Sequence, residues 1–164
     1  MDKSDLLVEV GKSLNQRYFS IKNIVEKKAA EEGMLLSLKL VNMKKEVVSN
    51  NFYWLPNKDG NYYGLNNMPL SISSYSAEKK ENDSIEVMIK NEKNGPVSFF
   101  NRISLIDNRT GKRILPVFYS NNYISVLPGE SQKVILKYPK NTDLKNSSVT
   151  IESWNHPITK IPII

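Results

Sequence analysis

Cysteine is absent from the chain, and histidine occurs once, as His156. Without cysteine there is no disulfide framework, no thiolate metal site and no Cys nucleophile. One histidine argues against His-rich metal centres and against triad chemistry, which needs an imidazole beside its nucleophile. No apolar run approaches the roughly 18 residues of a membrane span. The opening MDKSDLLVEV is amphipathic and acidic, unlike the charged-then-apolar layout of an export signal. Gly-rich phosphate loops, HExxH, GxSxG and EF-hand patterns are also missing. No metal and no cofactor is expected.

What is present is an ordinary globular composition spread over 164 residues: 40% hydrophobic and 24% charged. That is enough for one domain, or one domain and part of another. The net charge of +6 is evenly distributed. Residues 1–58 carry ten Lys/Arg against seven Asp/Glu, and residues 59–164 carry thirteen against ten. A nucleic-acid footprint needs several cations along one track, so no nucleic-acid partner is expected.

Period-two alternation dominates the pattern. In Met34–Val41 the residues Met34, Leu36, Leu38 and Leu40 share one face. Ile85, Val87 and Ile89 do so within Ser84–Lys90, and Val134, Leu136 and Tyr138 within Gln132–Tyr138. Each pattern suits an antiparallel strand with one face on a core and one in water. Weaker strand candidates are Leu6–Val10, Arg17–Lys22, Val47–Trp54, Leu70–Tyr75, Val97–Ile106, Arg113–Tyr119 and Val149–Trp154. Turn chemistry separates them: Asp107–Lys112 with Gly111 near its end, Leu127-Pro128-Gly129-Glu130 as a type II turn, and Asn94-Gly95-Pro96. One helical turn is predicted, capped by Asn23 and closed by Gly33. Leu55–Met68 is dense in Asn, Gly and Pro and reads as a linker.

Catalytic candidates are weak. A glycosidase needs two carboxyl groups facing each other across the scissile bond. Glu130 sits in a turn and Glu152 alternates outward on a strand, while His156 follows a strand end without an evident partner. The aromatic clusters say more: Phe52-Tyr53-Trp54, Tyr62-Tyr63 and Phe118-Tyr119, the last followed by Ser120-Asn121-Asn122-Tyr123. Rings beside Asn and Ser can stack on sugars, but composition favours buried packing between domains.

Three strings carry a family resemblance. Val47-Val48-Ser49-Asn50-Asn51-Phe52-Tyr53-Trp54-Leu55 resembles the end of the immunoglobulin-like domain behind the catalytic barrel in glycoside hydrolase family 2 β-mannosidases and exo-β-D-glucosaminidases. The stretch Ile114 to Glu130, ILPVFYSNNYISVLPGE, resembles the signature of the final immunoglobulin-like domain of those enzymes. Val149–Asn155 resembles its last strand. The resemblance implies an all-β chain: a complete immunoglobulin-like β-sandwich at 59–164, preceded at 1–58 by the later half of a truncated second immunoglobulin-like domain. It implies no catalytic residue here, because the paired glutamates of such enzymes lie in the TIM barrel. The expected role is therefore non-catalytic, bracing that barrel and walling its substrate pocket. Partners by this reading are the barrel of a retaining exo-glycosidase and a β-linked mannosyl or glucosaminyl saccharide, in a periplasmic or secreted parent. Asn121, Asn122 and Tyr123 are the candidate binding or interface loop; the family commonly has Asp-Asn-Tyr there, so position 121 lacks the charge. Trp54 and Trp154 are expected as structural anchors, buried rather than exposed. The alternative reading is a free-standing carbohydrate-binding or adhesin-like module, which requires an exposed, coplanar aromatic platform.

Overall fold

The computed structural model describes residues 4–8 and 19–164. The strands expected at Leu6–Val10 and Arg17–Lys22 therefore fall partly outside the described residues. The chain forms two compact units, Met1–Asn67 and Met68–Ile164. The division lies at the far end of the Asn/Gly/Pro-rich stretch rather than at residue 58. The reason is local. Asn57 Oδ1 accepts from the N–H groups of Asp59 and Asn61, and its Nδ2 donates to Glu31 O at 3.0 Å. Lys58 N–H donates to Ala30 O, and a 3-10 turn follows at Tyr63–Asn67. These bonds tie the stretch to the first unit.

In the first unit, α1 spans Lys22–Lys28. Its N-cap is Ile21, which has no capping side chain, so Asn23 lies inside the helix and does not cap it. The Lys22–Glu26 pair and the last-turn Lys27 and Lys28 favour the helix instead. Gly33 stands at φ +81, where a Cβ would lie 2.6 Å from Leu55 O, so glycine is required. β1 (Met34–Val41) and β2 (Val47–Leu55) then form an antiparallel hairpin, and Met34, Leu36 and Leu38 face Leu55, Tyr53 and Asn51. Asn42 holds its turn, accepting from Lys44 and Glu46 N–H. No residue of either strand is buried.

The second unit is the immunoglobulin-like sandwich. Its strands are β3 (Ser73–Lys80), β4 (Ser84–Asn91), β5 (Ser98–Asp107), β6 (Phe118–Tyr119), β7 (Ile124–Val126), β8 (Ser131–Lys137), β9 (Ser147–Ser153) and β10 (His156–Pro162). One sheet has the order β10-β9-β5-β7 and the other β3-β4-β8-β6. Alternate residues meet between them: Ala77, Val87 and Val134 in register on one sheet, Leu105, Val149 and Ile161 on the other. Branched side chains on both inner faces give the dry interior that holds a sandwich together. One side is closed by the C-terminus, where Ile164 N–H donates to Ala77 O and Ile164 O accepts from Lys79 N–H. The other side is covered by the segment 113–126, which passes from Arg113, bridged to Ile106, through β6 in one sheet to β7 in the other.

Three strand expectations change. Arg113–Tyr119 is mostly irregular, since Pro116 has no N–H to give a ladder. The strand expected at Leu70–Tyr75 begins at Ser73 and runs on to Lys80, with only Tyr75 and Ala77 as inward apolar marks. His156 lies just past the end of β9, as expected, and also opens an unexpected strand, β10, which tolerates Pro157 and Pro162 because it is an edge.

Leu105 is fully buried between the sheets. Leu105→Ala should lower unfolding stability by about 2–5 kcal/mol in urea titration. A loss below about 1 kcal/mol contradicts the placement of the core.

Candidate functional site

β5 enters its sheet through a bulge between Ser98 and Asn101, and the loops around that bulge are held by asparagine side chains. Asn155 Oδ1 accepts from Phe99 N–H at 2.9 Å, and its Nδ2 donates to the carbonyls of Pro69 and Val97, both at 2.8 Å. Asn91 Nδ2 donates to Pro96 O and Val126 O. Asn101 Nδ2 donates to Ser98 O and Ile124 O. All three asparagines are buried. Their amides satisfy backbone groups that the irregular chain leaves without a ladder partner.

Asn122 does the same where β7 gives out. The β5–β7 register pairs Asn101 with Ile124, so Asn122 comes opposite Ile103. There its Oδ1 accepts from Ile103 N–H at 2.8 Å and its Nδ2 donates to Ile103 O at 3.0 Å. Ser120 fastens the other side of the loop to β8, donating from N–H to Ile135 O and accepting Ile135 N–H on Oγ. Between these two fastenings the chain turns through a left-handed residue, Tyr123, at φ +54. Phe100 in the bulge is also at φ +54, and its N–H donates to Ser125 Oγ. Such backbone in a bulky residue costs about 1–3 kcal/mol and persists only when its surroundings enforce it. The two strained residues are neighbours, with ring centroids 5.2 Å apart at 40°. Phe100 meets Phe99, and Phe99 meets Trp154 at 6.4 Å and 75°.

The structure thus brings Asn121, Asn122 and Tyr123 together on one pinned loop. Asn122 spends its amide on Ile103, while Asn121 is exposed, with Oδ1 accepting from Asn122 N–H. Tyr123 is 50% exposed. The expectation of buried tryptophans is corrected. Trp154 is 53% exposed and Trp54 38% exposed. Trp154 lies in the tight β9–β10 turn, where its ring meets Phe99 edge-on and its backbone N–H donates to Phe99 O. Trp54 belongs to a two-stranded sheet with no buried residue. The rings from Tyr123 to Trp154 are tilted or edge-on to one another, so they do not make the coplanar platform that a free-standing sugar-binding module requires.

Ionisable groups form local clasps. Arg102 and Glu152 pair at 2.6 Å across β5 and β9, so Glu152 is committed to a guanidinium. Arg109 bridges Asp107 and Asp143. Hydrogen bonding from Arg109 holds the Asp107 carboxyl below its usual range, and hydrogen bonding from Asn146 does so for Asp143. His156 packs edge-on against Tyr75, whose phenol is raised by burial. Among the described residues no group of three or more His, Cys, Asp or Glu side chains could hold a metal ion. None of the described helices is long and apolar enough to cross a membrane.

Comparison with known proteins places these features in a matched region. A family model for the exo-beta-D-glucosaminidase Ig-fold domain matches residues 51–156, from β2 to the first residue of β10. The exo-beta-D-glucosaminidase of Amycolatopsis orientalis is 30% identical over 75% of this chain and 14% of its own length. That of Arthroderma benhamiae is 27% identical over 65% of this chain and 14% of its own length. The solved structure of an Amycolatopsis orientalis exo-chitosanase matches at a TM-score of 0.65 and 28% identity, covering 82% of this chain and 19% of that one. The chain thus spans only about a seventh of the length of these curated relatives.

Asn155→Ala leaves Phe99 N–H and two carbonyls unpaired and should lower stability by about 2–4 kcal/mol. Asn155→Asp should be worse at neutral pH, because a carboxylate faces two carbonyl oxygens. Its folded pKa is then raised, so its stability should recover as pH falls. Thermal unfolding of both variants between pH 4 and 8 checks this; an Asn155→Asp protein equal to wild type at pH 7 refutes the donor role.

Proposed function

The chain belongs to the family of exo-beta-D-glucosaminidase Ig-fold domains, and on that footing we propose that it is a non-catalytic domain bracing the catalytic barrel of a family 2 exo-glycosidase. The observation that carries this reading is the segment 113–126. Along the side of the sandwich that the C-terminus does not close, it exposes Leu115 at 68% and Phe118 at 71%, and Tyr123 lies further along the same segment. Large apolar side chains on a fastened segment are what a docking surface between protein domains presents. By this reading the segment lies against the barrel and the loop at 121–123 walls the approach to its pocket.

Bond cleavage in such an enzyme needs two facing carboxyl groups. Here Glu152 is paired with Arg102, and Asp107 and Asp143 share Arg109. The relatives' names favour glucosaminyl over mannosyl as the residue removed. The hairpin of the first unit, with half-buried Met34, Leu36 and Leu38 on one face, fits the later part of a preceding immunoglobulin-like domain. A parent acting outside the cytoplasm is part of the same proposal and rests on the family resemblance.

Assayed alone with aryl β-glucosaminides, the chain should give no turnover. Supplied to the catalytic region of its own enzyme, it should form a complex by calorimetry, and Leu115→Asp with Phe118→Asp should weaken that complex at least about a hundredfold. Turnover by the isolated chain, or unchanged affinity of the double variant, overturns the proposal.

A further inference from the structure

We propose that Tyr123 is a saccharide contact, its hydroxyl hydrogen-bonding the sugar on the leaving side of the scissile linkage at the mouth of the partner barrel. This rests on the bracing role proposed above and adds a residue and a ligand to it. Leu115 and Phe118 carry no polar side-chain atoms, so apolar docking suits them fully. Tyr123 is different. Its ring meets that of Phe100 at a tilt, the residue is half exposed, and its hydroxyl makes no hydrogen bond to another described residue. A phenol covered by an apolar surface would lose its hydrogen bond to water without replacement. The neighbouring Asn121 is exposed too, and its Nδ2 donates to no other described residue. An aromatic face, a phenol and an amide donor side by side match a ligand that offers a ring face and hydroxyl groups.

The perch is rigid. Asn122 clamps the loop to both polar atoms of the Ile103 peptide groups, Ser120 fastens it to Ile135, and Tyr123 is held in left-handed backbone. Rigidity of this kind lowers the entropy lost on binding and marks a residue whose direction matters. The leaving side is part of the same proposal: where the barrel of an exo-acting enzyme encloses the terminal sugar, a domain outside the barrel meets the rest of the oligosaccharide.

The test compares two substrates in the full polypeptide that carries the chain. Tyr123→Phe keeps the ring and removes one hydroxyl, so folding is preserved. For a glucosamine tetrasaccharide, kcat/KM should fall about tenfold, mainly through KM. For an aryl β-glucosaminide, which has no second sugar, it should not change. Asn121→Ala should show the same split with a smaller drop. Unchanged tetrasaccharide kinetics in Tyr123→Phe, or an equal loss on both substrates, overturns the contact. Association of the chain with the catalytic region, measured separately, tells which idea has failed. Association intact with no substrate split defeats the Tyr123 contact alone; no association of the wild-type chain defeats the bracing role beneath it.

Discussion

A primary amide carries a donor and an acceptor, as a peptide group does, so it can stand in for a strand partner where the chain leaves its sheet. Asn122 and Asn155 use both halves of this property on backbone groups, and Asn91 and Asn101 use the donor half. Asn155 ties two separate stretches of chain to its own, one at Pro69 and one at Val97 and Phe99. Asn122 continues the β5–β7 pairing for one more position after the strand has ended. Without these bonds the bulge at Phe99–Phe100 and the turn at Tyr123 would hold unpaired backbone groups next to a dry core. The left-handed conformations of Phe100 and Tyr123 persist because the amides on either side leave the chain no easier course.

The division of labour within the second unit follows from this. Branched side chains between the sheets supply the bulk of its stability, and they do so without directing any loop. The asparagines add little apolar burial, but they set where Tyr123, Phe100 and Trp154 stand. The Asp107–Arg109–Asp143 cluster fastens loops through ion pairs with largely solvated side chains, which are weaker and fade in salt. A domain that must present one loop in one place to a neighbour is better served by buried amides than by exposed charges.

Much of the fold was legible because burial leaves a period in the sequence. β1 matches its expected bounds, and β2, β4 and β8 differ from theirs by a residue at one or both ends. β3 and β10 lack that mark: serines and lysines dominate the one, prolines interrupt the other. β7 is three residues long, too short to show a period. At the site, the Asn121–Tyr123 loop stood out through resemblance. The buried asparagines did not, because an Asn that bonds buried backbone looks in sequence like an Asn in a solvated turn. Asn155 was visible only as the last residue of the Val149–Asn155 string. The tryptophans were misplaced for a related reason: size argues for burial, but exposure is decided by whether a second layer of structure reaches the position.

Amide hydrogen exchange tests the central claim most directly. Phe99 and Ile103 donate their N–H groups to asparagine side chains rather than to a strand. If those side chains act as ladder partners, both amides exchange as slowly as the β4–β8 ladder amides of Val87 and Val134. Exchange at the rate of exposed turn amides such as Lys93 and Asn94 would contradict the account.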